Sequence, residues 1–135
     1  ADLDPLLLSD VERIKAHSGS AGDSYAGVLK SGSRLWMTGQ LRHPQLESYD
    51  AFSLRISSIC QRLEGIEAGP VLCFSSAGLI SAVLSAIFKG AAEHSLRTAW
   101  ALFNTSISEI VVHQGLTVSA INRIDHLNPS NRTHI

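Results

Sequence analysis

The residues best suited to chemistry form one short turn, made of Ser75, Ser76, Ala77 and Gly78, which follows the apolar run Val71–Phe74. Small residues at the start of a helix leave backbone N–H groups free to face an anion, and the two serines add two hydroxyls. Such a turn suits phosphate. The structural alternative is that the serines only cap the helix and that the alanine and glycine only permit close packing.

The run Val71–Phe74 (Val-Leu-Cys-Phe) indicates where this turn lies in the fold. An apolar run without polar alternation is typical of a strand covered on both faces of a parallel sheet. Open sheets of this kind bind ligands at the carboxyl ends of their strands, which is where the turn begins. A buried strand needs neighbours on both sides, and the remaining sequence offers no second all-apolar strand. We therefore expect strands from the N-terminal side, or from a partner chain, to complete the sheet.

Periodic apolar residues predict the helices. The clearest is Glu47–Leu63, in which Phe52, Ile56, Ile59 and Leu63 fall on one face. The other predicted helices are Asp2–His17, a short helix within Gly27–Gly39 that ends at a turn around Ser31–Ser33, Leu79–Phe88 and Glu93–Phe103. Strands Ser106–His113 and Leu116–Ile124, joined at Gln114-Gly115, are expected to form an antiparallel hairpin with one face covered, before an irregular tail, Asp125–Ile135.

Length and composition limit the class of protein. A chain of 135 residues predicts a single domain spanning residues 1–135, and 44% hydrophobic against 17% charged residues provides for a core. The formal charge of -1 argues against nucleic acid as a partner, and no apolar run reaches the length of a membrane span. Cys60 and Cys73 lie in apolar segments, which predicts buried free thiols in a reducing compartment, the cytoplasm.

Four short motifs, taken in order, resemble the histidine phosphatase (phosphoglycerate mutase-like) superfamily. They are Glu47-Ser48-Tyr49 with Phe52 and Arg55, the segment Gly69–Ala82 around the turn, Asn104-Thr105-Ser106-Ile107, and Asn122–Leu127. The second is similar to the family's apolar strand, Ser-His-Gly-Gly turn and apolar helix. The resemblance spans residues 47–127. It implies that this chain is the C-terminal, larger part of a histidine-phosphatase-like domain.

The resemblance implies a three-layer α/β/α sandwich with a mostly parallel sheet, a C-terminal antiparallel hairpin and no cofactor. It also implies a phosphohydrolase or mutase acting on a phosphorylated small molecule or a phosphoprotein. In that family a histidine of an Arg-His-Gly motif takes the phosphoryl group. A second histidine in the Ser-His-Gly-Gly turn and two arginines hold the phosphate, and a carboxylate donates the proton. Cationic donors of this kind stabilise the charge on the equatorial oxygens.

This chain departs from that pattern at the catalytic positions. No Arg-His-Gly motif occurs; Arg42-His43-Pro44 stands in the wrong place, and Pro44 lacks a backbone N–H. Ser76 stands where the second histidine is expected, and its neutral hydroxyl cannot supply a positive charge. Asp2 or Asp4 would lie near the family's acid position, but the match there is poor, and Asp4 is better interpreted as a helix cap. We therefore expect part of a phosphohydrolase that is inactive as this chain alone; the alternative is a pseudoenzyme that uses the turn to bind an anion or a protein.

Two other chemistries fit less well. A nucleophile elbow would centre on Ser76, followed by Asp125 and His126 or His134, but Phe74 occupies the position where that turn needs glycine. The six histidines show no metal-ligand spacing, so no metal site is expected.

Overall fold

Four helices and one hairpin form the part of the chain described by the computed structural model, residues 21–42, 44–67 and 69–134. The helices are α1 (Ala21–Met37), α2 (Tyr49–Glu64), α3 (Ala77–Ile87) and α4 (Ala92–Ala101); the strands are β1 (Ile107–Val112) and β2 (Leu116–Arg123). A single 3-10 turn, Pro129–Asn131, interrupts the tail. The chain divides into two compact units, Ala1–Phe52 and Ser53–Ile135. The predicted helix Asp2–His17 lies outside the described residues.

In the first unit, α1 runs unbroken through Gly32, so the predicted turn around Ser31–Ser33 is wrong. A glycine inside a helix costs only about 1 kcal/mol relative to alanine. Partial burial of Leu35 and Trp36 farther along α1 compensates for a cost of this size.

The Trp36 side chain fixes the start of the next helix. Its indole Nε1 donates a hydrogen bond of 2.6 Å to the Glu47 carbonyl. The ring lies edge-on to Tyr49 and Phe52, with centroids 5.2 and 5.1 Å away. The Ser48 Oγ accepts a hydrogen bond of 3.2 Å from the Ala51 backbone N–H, which makes Ser48 the N-cap of α2. The Glu-Ser motif is thus a helix start, held by an aromatic cluster.

Helix α2 confirms the predicted Glu47–Leu63 helix and its apolar face. Ile56 is buried, and Phe52, Ile59 and Leu63 are half-buried at the predicted spacing. Leu54, which falls off that face, is 73% exposed.

In the second unit, α3 packs against both α4 and β2. The buried apolar residues here include Val83 and Leu84 of α3 and Leu102, which ends α4. Helices α3 and α4 match the predicted Leu79–Phe88 and Glu93–Phe103 within two residues at each end. Among the described residues, no helix is both long and apolar enough to cross a membrane.

The predicted antiparallel hairpin is confirmed. Val112 pairs with Leu116 around the turn, and both Gln114 (φ 52°) and Gly115 (φ 120°) have positive φ, a conformation that favours glycine. Burial alternates along both strands, so one face is covered and the other is open. The sheet of the described residues has these two strands only, and they are antiparallel.

The segment Val71–Phe74 corrects one expectation. The sequence predicts a strand covered on both faces, but the segment joins no sheet, and Leu72 and Phe74 are 85% and 94% exposed. The physical reason is that the segment has no neighbouring strand to pair with in the described part of the chain, which also leaves the expected sheet incomplete. A strand forms only against partner backbone, and the described residues give this segment none.

The cysteines correct a second expectation. Both are free, as predicted, but Cys73 is exposed and Cys60 is only half-buried. Cys73 is exposed because it shares the uncovered segment. Burial raises the pKa of the Cys60 thiol, and the negative charge of Glu64 raises it further.

Candidate functional site

The turn Ser75–Gly78 leads directly into α3, with Ser76 at the N-cap position. The Ser76 backbone is extended (φ -84°, ψ 156°), and its carbonyl accepts the Ile80 N–H at 3.0 Å, which starts the helix. Its hydroxyl makes no capping hydrogen bond to the first turn of the helix. The first N–H groups of an α-helix have no partner within the helix, so these donors remain open to a ligand.

The surroundings of the turn are open as well. Ser75, Ser76 and Gly78 are exposed, and a methyl group added at Gly78 would meet nothing within 4 Å. The structural alternative required a serine cap or close packing at the small residues. Ser76 makes no such cap and Gly78 no such packing contact, while Ala77 is half-buried.

The third and fourth motifs of the sequence come together at the end of α4. The Asn122 Oδ1 accepts a hydrogen bond of 2.8 Å from the Phe103 N–H, and its Nδ2 donates one of 3.0 Å to the Ala101 carbonyl. Its own backbone N–H donates to the Ser108 Oγ at 3.1 Å. One side chain therefore fixes β2 to the last turn of α4 and to the connection that follows it.

The backbone explains why asparagine suits position 122. Between Ile107↔Arg123 and Glu109↔Ala120 the register shifts, with one extra residue on β2, and Asn122 has a φ of 57° there. A bulge of this kind needs a residue that tolerates the left-handed region, and asparagine does so better than most.

A second set of contacts holds the same connection, residues 102–106. The His126 Nε2 lies 3.0 Å from the Thr105 carbonyl and must be the donor, because a carbonyl only accepts. The Asn104 Nδ2 donates to the Thr133 Oγ1 at 3.0 Å, and the His134 ring lies 3.8 Å, centroid to centroid, from that of Phe103. Sequence analysis found these motifs only through the family resemblance, because their contacts join residues fourteen or more positions apart.

The residues proposed for a nucleophile elbow are engaged elsewhere. Asp125 accepts a hydrogen bond of 3.1 Å from the Arg123 Nε, and Arg123 also bonds Glu109 at 2.8 Å. The hydrogen bond to Asp125, together with the charge of Glu109, raises the pKa of Arg123. With His126 bonded to Thr105, these groups stabilise the hairpin and its exit and do not form a triad.

The remaining chemical candidates have a structural role or lie outside the described residues. Arg42 donates from Nε to the Gly39 carbonyl at 2.8 Å and so closes the turn after α1. His43 and Asp4 lie outside the described residues. In the described ranges, no three His, Cys, Asp or Glu side chains are grouped as metal ligands would be.

Comparison with known proteins identifies the family. The model of the histidine phosphatase superfamily (branch 1) matches residues 29–123, which is 95 of the 135 residues and includes the turn Ser75–Gly78. No curated protein and no solved structure gives a significant match. Since the matched region covers well over half of the sequence, this chain belongs to the histidine phosphatase superfamily.

Proposed function

We propose that this chain supplies the phosphate-binding turn of a histidine-phosphatase-like phosphohydrolase, with Ser75, Ser76, Ala77 and Gly78 as the residues that face the phosphate. The observation that carries the proposal is the open first turn of α3, whose N-cap hydroxyl makes no capping bond, at the place where the family resemblance puts the phosphate. The substrate is a phosphorylated small molecule or a phosphoprotein, and the protein is cytoplasmic.

We also propose which strands complete the sheet beside the turn. Val71–Phe74 pairs with strands from elsewhere in the protein or from a partner chain, which would give the parallel sheet and three-layer sandwich implied by the family. Its sequence supports this, since four apolar side chains on both sides of an extended segment need cover. The exposure of Leu72 and Phe74 and the packing of α3 against β2 are consistent with a sheet that lacks these strands.

The chain alone is proposed to be inactive. It has no Arg-His-Gly nucleophile, and Ser76 offers a neutral donor where the family uses a histidine. A phosphoryl transfer needs a positioned nucleophile and cationic donors, and the turn supplies neither. We expect no hydrolysis of p-nitrophenyl phosphate by the 135 residues; sustained turnover by the purified chain would contradict this.

The alternative function is that of a pseudoenzyme, and one residue favours it. Ser76 keeps a hydrogen-bond donor at the turn while removing the imidazole, as expected of a site that binds an anion without turnover. Phosphate binding is common to both functions. The two functions differ in a protein that contains the missing strands. A phosphoryl group trapped covalently on that protein would favour the enzyme, and phosphate binding without such transfer would favour the pseudoenzyme.

Phosphate binding is tested by substituting proline at the first residue of α3. Ala77→Pro removes one free N–H donor, and proline is well tolerated at the first helical position after an extended residue. A hydrogen bond to a charged group contributes about 1.5–3 kcal/mol, so affinity for inorganic phosphate should fall by about tenfold or more. The measurement is a phosphate titration followed by the backbone amide resonances of residues 77–80 in the unsubstituted chain and of residues 78–80 in Ala77→Pro, which has no N–H at position 77.

The matched control is Ala92→Pro, which makes the same change at the first residue of α4, also after an extended N-cap. Phosphate affinity should stay unchanged in this variant. The proposal fails if phosphate does not shift the amides of residues 77–80, or if Ala77→Pro binds as well as the unsubstituted chain.

A further inference from the structure

Ser81 is the most deeply buried side chain of the described residues, with 1% of its surface exposed, although it is polar. It lies on α3 one turn after the candidate site. Val83 and Leu84, its buried neighbours on the helix, are apolar. Burying a hydroxyl costs free energy unless it is hydrogen-bonded, so its two contacts define what it does.

The direction of both hydrogen bonds follows from the number of protons. The Ser81 Oγ lies 3.0 Å from the Gly78 carbonyl, which only accepts, so Ser81 donates its single proton there. The Ser95 Oγ lies 3.4 Å from the Ser81 Oγ. Since the Ser81 proton is used, Ser95 must be the donor of this second bond. Two hydrogen bonds in series therefore link α4 to the turn: the Ser95 hydroxyl donates to the Ser81 hydroxyl, which donates to the Gly78 carbonyl.

From this geometry we propose that Ser81 is a positioning residue for the turn Ser75–Gly78, an inference that rests on the proposed function. A serine hydroxyl bonded to the carbonyl three residues earlier links its own turn of the helix to the turn before it. Ser81 therefore sets the direction of the first turn of α3, and Ser95 ties that direction to α4. Neither hydroxyl touches the phosphate; both determine where the N–H groups of the turn point.

The test is amide hydrogen exchange in the full chain after Ser81→Ala. Alanine favours helix more than serine does, so the substitution would leave or lower exchange in α3 if the Ser81 hydroxyl contributed nothing there. Loss of a hydrogen bond of ordinary strength should instead raise exchange at Ile80, whose N–H bonds the Ser76 carbonyl, by about fivefold. Ser95→Ala should raise it less, and should add nothing when Ser81 is already alanine.

The control is Ser85→Ala, at the other end of α3, where the hydroxyl donates a longer bond of 3.4 Å to the Ala91 carbonyl. Exchange at Ile80 should not change. Equal exchange at Ile80 in the unsubstituted chain and in Ser81→Ala would overturn the proposal. If Ser81→Ala does not fold, unchanged exchange in Ser95→Ala overturns it instead.

A phosphate titration separates this inference from the function on which it rests. If the unsubstituted chain binds inorganic phosphate, Ser81→Ala should weaken binding by about threefold or more, and equal binding would contradict the positioning role. If the unsubstituted chain binds no phosphate, the proposed function fails, and the exchange at Ile80 still decides whether the Ser81 hydroxyl holds the first turn of α3 in place.

Discussion

Replacing Asn122 with alanine is expected to lower the free energy of unfolding by about 2–4 kcal/mol. The substitution removes the acceptor of the Phe103 N–H and the donor to the Ala101 carbonyl. It also places alanine at a φ of 57°, a conformation that asparagine tolerates better because its polar side chain can hydrogen-bond locally. Urea denaturation of both proteins measures the difference.

Two further substitutions at the same position separate these contributions. Asn122→Gly relieves the backbone strain but loses both side-chain bonds, so its cost should be smaller by about 1 kcal/mol. Asn122→Asp keeps the acceptor for Phe103 but places a second acceptor oxygen against the Ala101 carbonyl, so it should retain only part of the stability. An alanine variant as stable as the original chain would show that the Asn122 contacts do not hold α4 to β2.

The second large effect is a difference in the stability cost of replacing two leucines, Leu84 and Leu72, which both lie in apolar runs of the sequence. Leu84 is 2% exposed, so Leu84→Ala should cost about 2–5 kcal/mol through the cavity it leaves. Leu72 is 85% exposed, so Leu72→Ala should change stability by no more than about 0.5 kcal/mol. The same urea experiment measures both.

This contrast bears on the uncovered segment. A cost of several kcal/mol for Leu72→Ala would mean that Val71–Phe74 is covered within the chain, contrary to the structure. If a longer protein or a partner chain supplies the missing strands, Leu72→Ala should become costly there, while the cost of Leu84→Ala stays similar.

The elements that sequence predicts well are those with strong local periodicity. Helix α2 follows from the spacing of Phe52, Ile56, Ile59 and Leu63, and the hairpin follows from two alternating runs around Gln114-Gly115. In both, the pattern that buries a face is carried within about fifteen residues. Helix α1 is less predictable, because Gly32 and two adjacent serines suggest a turn locally while burial elsewhere along the helix keeps it intact.

Pairing and polar contacts between distant residues escape such patterns. Val71–Phe74 has the composition of a buried strand, yet whether it forms one depends on backbone partners that its own residues cannot specify. The roles of Asn122 and His126 depend on Phe103 and Thr105, which lie far away in sequence. At the candidate site, the residue types indicate an anion-binding turn, but only the structure shows that the Ser76 hydroxyl leaves the helix start open.

Val71–Phe74 has the sequence of a central strand but no cover among the described residues, and the thiol of Cys73 reports on this directly. Cys73 is exposed in the middle of the segment, while Cys60 is half-buried on α2 and serves as an internal reference. The raised pKa of the Cys60 thiol leaves less thiolate at pH 8, and partial burial limits access to it.

The measurement is the rate at which each thiol of the folded chain reacts with a disulfide reagent, with Cys73→Ser and Cys60→Ser used to assign the two phases. Cys73 should react as fast as it does in the urea-unfolded chain. Cys60 should react at about one tenth of the Cys73 rate or more slowly. A Cys73 thiol that is protected in the folded chain, with a rate equal to or below that of Cys60, would show that the segment is covered and would contradict the account.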